Sequence, residues 1–323
     1  MPPRTLHPDE PEIDVALVRR LLREQFPQWA DLALAATGSA GTANVMYRLG
    51  ADMVVRLPRV AGAASDVEKE HAWLPRLAPR LPASVPVPLG KGVPTDRYPW
   101  PWSVYGWLDG ENPSAGRVAD PGPLARDLAE FVAALHRIDT AGAPPAYRSE
   151  PLPDRDSATR SAIDALRAEV DAAAATAVWE AALRAPRWPG APVWIHADLQ
   201  PGNLLVAAGR LGGVIDFGCM GLGDPAVDTI AAWYVLPAAA RGAFRAALGY
   251  DEATWVRGRG WALSIALMEL RHYRGTHERM AGIARHVLGE LLADGERRPE
   301  GAAHPTRGRP ERSPASVIPP PRR

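Results

Sequence analysis

Residues 193–206 read VWIHADLQPGNLLV, which places His196, Asp198 and Asn203 between two apolar runs in a chain otherwise rich in Ala, Leu and Arg. The sequence continues NLLVAAGRLGGVIDFGCMGLGDPAVD over 203–228. Asn203 to Ala207 and Gly212 to Asp216 have the apolar character of short strands, and the residues between them, 208–211, are turn-prone, so a hairpin is expected. If Ala207 faces Gly212 across that turn, Asn203 faces Asp216 at the open end, with their Cα atoms roughly 5 Å apart. An amide and a carboxylate at that spacing form a pair of hard oxygen donors of the kind Mg²⁺ takes. Asp198 lies five residues before Asn203 in a loop tightened by Pro201 and Gly202. It brings a third oxygen function to the same cleft, where a carboxylate can orient a hydroxyl or accept its proton. His196 would anchor the loop.

The surroundings divide into two kinds of sequence. IDVALVRRLLREQFPQWA, 13–30, has apolar residues at helical spacing, with Asp14 as its N-cap. Val45–Leu49 and Met53–Leu57 read as strands joined through Gly50, Ala51 and Asp52; SDVEKEHAWLPRLAPRL, 65–81, returns to helix with Val67, Glu70, Trp73, Leu74 and Leu77 along one side. SVPVPLGKG (84–92) and WPWSVYGWLDG (100–110) supply two further extended segments, and the prolines confine the first to a sheet edge. After Gly110 the pattern is helical: 120–139, an Ala-rich helix over 158–185, 260–275 and 280–294. The expected fold is α+β in two lobes: a small antiparallel-sheet lobe over 1–107, with 1–12 a loose lead-in, and a larger, mainly helical lobe over 108–293. The hinge falls at Tyr105–Gly110, and 294–323, Pro- and Arg-rich without periodicity, reads as a disordered tail.

Composition narrows the function classes. The chain has 323 residues and is 46% apolar, enough to bury a substantial core. Its 37 basic and 37 acidic residues cancel, so no basic excess points to a nucleic-acid partner. A lone Cys219 offers no internal disulfide. The N-terminus lacks the apolar core of a signal peptide and no run approaches a membrane span, so a cytoplasmic protein without membrane attachment is expected.

HADLQPGN and VIDFG, followed by GDPAVD, resemble the catalytic and metal loops of the aminoglycoside phosphotransferase and choline kinase-like enzymes, which share a two-lobed fold with the protein kinases. The resemblance covers roughly residues 30–290. It implies Asp198 as the catalytic aspartate beside the acceptor hydroxyl, and Asn203 and Asp216 as the ligands of Mg²⁺. MVVRLPR (53–59) is similar to the strand whose basic residue contacts the nucleotide phosphates, and EKEHAWL (68–74) to the helix whose acid pairs with it, which implies Arg56 and Glu70. Many family members carry Lys where this chain has Arg56. SVYGWLDG (103–110) is similar to the interlobe linker, where backbone groups near Gly106 and Leu108 would hydrogen-bond the purine of ATP or GTP. The loop TGSAGTANVMY (37–47) lacks a kinase-type glycine signature.

The implied activity is transfer of a γ-phosphoryl group to a hydroxyl of a small molecule: an aminoglycoside or related antibiotic, or a metabolite such as an amino alcohol or sugar. The other reading is a nucleotide-binding switch without catalysis. A protein kinase is disfavoured because no APE segment follows IDFG, and a metallohydrolase because no His cluster accompanies His196. Structural roles account for other residues: Asp224 and Pro225 open a helix as N-cap and N1, Asp228 stands at a capping-box position and also within reach to brace the catalytic loop, His136 is a core histidine, and Trp100, Trp102 and Trp107 pack the core or hinge.

Overall fold

The computed structural model describes residues 11–37, 43–113 and 120–296. Most of the lead-in, residues 38–42 of the glycine-bearing loop and nearly all of the tail lie outside the described residues. Helix α1 (Val15–Gln25) is capped by the Asp14 carboxylate, which accepts from the Leu17 amide. Strands β1 (Leu34–Ala36), β2 (Asn44–Leu49) and β3 (Met53–Pro58) follow, then α2 (Ala61–Leu77), β4 (Pro88–Gly92) and β5 (Trp102–Gly106). The sheet is antiparallel in the order β1-β2-β3-β5-β4, with proline-bearing β4 at the edge as expected.

Alternation divides this sheet by face. Val45, Tyr47, Leu49, Met53, Val55, Leu57, Trp102 and Val104 pack with α1 into a core of their own. Residues one step out of phase, Val54 and Tyr105 among them, join the core of the helical part through Leu74 and Leu77 of α2. Arg56 shares that second face, so the strand's period carries a cation toward α2. Trp102 needs glycine beneath it: a Cβ on Gly92 would meet its ring at 1.9 Å.

The helical part runs through α3 (Pro121–His136), α4 (Asp156–Ala165), α5 (Ala172–Arg184), β6 (Val193–Ile195), β7 (Leu204–Ala207), β8 (Arg210–Val214), β9 (Gly221–Gly223), α6 (Ala231–Tyr234), α7 (Ala238–Leu248), α8 (Glu252–Tyr273) and α9 (Glu278–Glu296). The architecture is the two-lobed, protein-kinase-like one. Among the described residues no helix is long and apolar enough to cross a membrane.

Two sequence expectations are corrected. The Ala-rich stretch is not one helix but a helical hairpin. Buried Leu166 closes α4, Asp171 caps α5 by accepting from Ala173 and Ala174, and the Trp179 indole donates to Asp156 at 2.7 Å to fold the second helix back on the first. The β7–β8 hairpin exists, but its register differs: Leu204 faces Val214, Leu205 faces Gly213, and after a bulge Val206 faces Leu211 and Ala207 faces Arg210. The turn is only Ala208–Gly209, both at positive φ (49° and 76°), a two-residue turn whose twist suits a hairpin. Asn203 therefore lies in a 3-10 turn (Pro201–Asn203) before β7, and its carbonyl accepts from Ile215 at 2.8 Å, so Asn203 aligns with Ile215 rather than with Asp216.

Helix α8 packs against the 3-10 segment Pro225–Ile230 through Gly258, where an added Cβ would meet Thr229 Oγ1 at 1.7 Å and the Ala226 carbonyl at 2.8 Å. Gly282 on α9 faces open space. Both glycines are helical, where Ala is intrinsically better by about 1 kcal/mol. Gly282→Ala should hold or raise the melting temperature; Gly258→Ala should destabilise by about 2 kcal/mol or more despite the better propensity, read as a Tm drop of several degrees. Equal behaviour of the two variants would refute the packing argument.

Candidate active site

The end of β3, the loop 196–203 after β6 and the segment 215–219 after β8 meet beneath the sheet. Arg56 projects from β3 with its side chain 12% exposed, and its Nη1 donates to both oxygens of Glu70, at 2.8 and 2.9 Å. Glu70 is 1% exposed, because it falls in the apolar stripe of α2 with Ala63, Val67, Leu74 and Leu77. The Tyr105 hydroxyl donates to the same carboxylate. Arg56 Nη2 donates to Asp216 Oδ1 at 2.7 Å. The Asn44 amide, oriented with its oxygen toward the guanidinium, accepts from Nη2 at 2.9 Å and from Nε at 3.1 Å. The five N–H bonds of Arg56 are thereby matched to acceptors. Burial opposes the Arg56 charge, but Glu70 and Asp216 more than offset it, and the guanidinium titrates well above its ordinary value.

The loop 196–203 is held from beneath. Asp228, fully buried, accepts from the His196 amide (2.9 Å) and the Ala197 amide (2.8 Å), and His136 Nε2 donates to it at 3.1 Å. Asp228 is thus the brace of the loop, and His136 is the hydrogen-bonded core histidine, its Nδ1 receiving the Tyr250 hydroxyl at 2.7 Å. Buried His196 anchors the loop as expected: Nε2 donates to the Ile215 carbonyl at 3.1 Å and Nδ1 accepts from the Asp198 amide at 3.2 Å. Ala197 sits at φ 66°, a left-handed conformation that costs a residue with a Cβ about 1 kcal/mol or more. The Asp228 bond to its amide and an Arg148 bond to its carbonyl impose it.

Asp198 and Asn203 are brought together. The Asn203 amide donates to Asp198 Oδ2 at 2.8 Å and to the Asp198 carbonyl at 2.9 Å, which leaves the amide oxygen for another partner. Asp216, at φ 62° and ψ 69°, has one oxygen on Arg56 and a side chain 46% exposed. Its neighbour Ile215 is hydrogen-bonded to Asn203, so the two expected ligands are close in the backbone network although they do not face each other in a ladder. Among the described residues no group of three His, Cys, Asp or Glu side chains is arranged to hold a metal by itself. Gly106 and Leu108 lie at and after the end of β5; the Gly106 amide donates to the Val87 carbonyl at 3.3 Å. Trp107 stacks under the Arg48 guanidinium at 3.9 Å and Trp102 is buried in the sheet core.

Several members of the cluster were not picked out from the sequence, although Gln200 lies within the quoted HADLQPGN. Arg148, from the loop between α3 and α4, donates to Asp198 Oδ1 at 3.0 Å. Gln200 donates to Asp198 Oδ1 (3.2 Å) and to Glu269 Oε1 (2.6 Å), and the Tyr234 hydroxyl donates to Glu269 Oε2 at 2.9 Å. Burial, with Asp198 nearby, pushes the Glu269 carboxyl up to about 7. Cys219 is no nucleophile: burial, then Asp198, push its thiol up to about 12. The arrangement combines a carboxylate aligned by an amide, a second carboxylate steadied by a cation, and exposed oxygens suited to a hard cation.

A family model described as the phosphotransferase enzyme family matches residues 36–261. No curated protein sequence matches the chain. Among solved structures, the GDP complex of wild-type aminoglycoside 2'-phosphotransferase-IIIa superposes with a TM-score of 0.70 at 20% identity, covering 88% of this chain and 100% of that one. The apoenzyme of a macrolide 2'-phosphotransferase from Brachybacterium faecium gives 0.57 at 22% identity, covering 85% and 97%. ADP-bound aminoglycoside phosphotransferase APH(2'')-Ib gives 0.57 at 17%, covering 87% and 98%.

Glu269 makes stability depend on pH in a defined sense. Its folded value, about 7, lies above its ordinary 4.5, so its contribution to stability is fully present below about 4.5 and is lost as pH rises through about 7. The Tm of the wild-type chain minus that of Glu269→Gln should therefore fall between about pH 5 and about pH 8. A difference that stays flat or rises would contradict the burial argument.

Proposed function

The chain belongs to the phosphotransferase enzyme family, and on that footing we propose that it is a small-molecule kinase which moves the γ-phosphoryl group of ATP or GTP to a hydroxyl of an antibiotic such as an aminoglycoside or a macrolide. The observation that carries this reading is the Asn203-aligned carboxylate of Asp198 beside an Asp216 held by Arg56. Asp198 takes the acceptor hydroxyl, orients its oxygen toward phosphorus and receives its proton. Arg148 and Gln200, also bonded to Asp198 Oδ1, hold that carboxylate in one direction.

The donor chemistry fits Mg²⁺: the amide oxygen of Asn203 and the second oxygen of Asp216 would hold it, with phosphate and water oxygens completing its shell. When bound, the ion neutralises phosphate charge. Arg56 has its hydrogens spent on Glu70, Asp216 and Asn44, so its main task is to aim Asp216; contact with a phosphate requires it to release one acceptor. The linker backbone near Gly106 and Leu108 is the seat for the purine, with the Gly106 amide already committed to Val87.

On the acceptor side the neighbours of Asp198 include Glu269 and the hydroxyl of Tyr234, and the segment 109–300 carries more acids than arginines. These features favour an acceptor with amino groups over an uncharged one. Deletion of a metal-holding side chain should raise the barrier by several kcal/mol, since this chemistry depends on positioning and charge neutralisation.

The decisive experiment is incubation with ATP and GTP across a panel of aminoglycosides, macrolides, amino alcohols and sugars, scored by a mass gain of one phosphate. At least one antibiotic should gain it, chelation of divalent cations should abolish the gain, and Asp198→Asn should lower turnover by about 10²-fold or more while the protein remains folded. Undiminished transfer by Asp198→Asn would remove Asp198 from the chemistry, and no gain across the panel would remove the acceptor assignment.

A further inference from the structure

Arg148 enters the site from a segment fixed by backbone bonds. Ala146 donates to the Leu222 carbonyl at 3.0 Å, Leu222 to the Pro144 carbonyl at 2.8 Å, and Tyr147 to the Cys219 carbonyl at 3.0 Å. The segment is thereby stitched to the chain that follows Asp216, and the guanidinium lies between that chain and the catalytic loop, 12% exposed. Nη1 spends its two hydrogens on the Ala197 carbonyl and Asp198 Oδ1. Among the described residues nothing accepts from Nε or Nη2, and these atoms are not sealed from solvent. A desolvated guanidinium with unused donors, touching the carboxylate that takes the acceptor, is suited to an anion carried in by the substrates.

Among the described residues, Arg56 and Lys69, the other cations beside Asp216 and the segment after it, are committed. Arg56 has every donor matched by Glu70, Asp216 and Asn44. Lys69 donates to the Gly218 carbonyl and pairs with Asp66 at 3.6 Å. Gln200, two residues after Asp198, is uncharged and bridges Asp198 to Glu269.

We propose that Arg148 is a catalytic residue of the transfer step, its guanidinium contacting the γ-phosphoryl group as that group passes to the hydroxyl held by Asp198. This rests on the roles given above to Asp198, Asn203 and Asp216. In the step, the bond from the acceptor oxygen to phosphorus forms as the bond from phosphorus to the β–γ bridging oxygen breaks. The electron pair of the broken bond leaves with the nucleoside diphosphate, the hydroxyl proton passes to the Asp198 carboxylate, and Arg148 keeps all its protons. Negative charge spreads over the equatorial oxygens in such a transition state, and Arg148 meets it at the acceptor end.

Water serves as acceptor for the test, with Mg²⁺-dependent hydrolysis of ATP or GTP as the readout. Arg148→Met should lower kcat about 100-fold or more while the nucleotide KM changes by less than about threefold. Arg148→Lys should regain part of the loss, and guanidinium ion added to Arg148→Gly should restore turnover saturably, which a structural role would not produce. If Arg148→Met misfolds by its melting curve, Arg148→Gln, which still has an amide to offer the Ala197 carbonyl, carries the same comparison. Unchanged kcat, a raised KM at unchanged kcat, faster turnover or no rescue would each overturn the proposal. Asp198→Asn is assayed alongside: if it loses activity while Arg148→Met does not, the proposal alone fails; if Asp198→Asn is fully active, the underlying reading of the site fails.

Discussion

The structure depends most on one buried cation. Arg56 joins a strand of the small sheet, a helix behind it and the segment after β8, because its planar fork offers parallel donors to Glu70 on one side and Asp216 on the other. Neither partner is placed there by chance of exposure: Glu70 lies in the apolar stripe of α2, and Asp216 is held in a left-handed turn. Removing one member of such a network leaves a desolvated charge behind, which costs about 3–5 kcal/mol in general. The same contact that binds the two parts of the molecule therefore also sets the direction of a carboxylate in the cleft.

Beneath the loop 196–203 a second buried group works differently. Asp228 bridges two successive amides, and those bonds, with Arg148 on the following carbonyl, hold Ala197 in a conformation its Cβ disfavours. The geometry of Asp198 is thus imposed by packing from α3, α8 and the 3-10 segment that carries Asp228. Gly258 lets α8 approach that segment closely, so a residue far from the chemistry helps determine it.

Much of this was legible in the sequence, and what was missed has physical causes. The HxDxxxxN spacing and the ID pair were readable as one cluster because short connections join them, and the structure bonds Asn203 to Asp198 and Ile215 to Asn203. Arg56 and Glu70 were readable only through the family resemblance. The register of the β7–β8 hairpin was not, since Ala208 adopts positive φ, a conformation that composition assigns to Gly or Asn. The break between α4 and α5 was masked by alanines favourable to helix on both sides of Asp171. Arg148, Glu269, Tyr234 and Asn44 reach the site by tertiary packing from segments distant in the chain, so their local patterns announce an element at most and not a place in the site.

The β7–β8 hairpin has unusual neighbours. On one side Ser84, in the chain leading into β4, exchanges bonds with Gly212 and Val214; on the other Glu111, just past the linker, exchanges two with Val206, and Asn112 closes onto Gly202 and Leu204. The connections into β4 and out of β5 are therefore sewn to the ribbon that has Asn203 and Asp216 at its open end. A swing of the small sheet about this seam would leave Asn203 and Asp216 at the pivot, with their spacing kept.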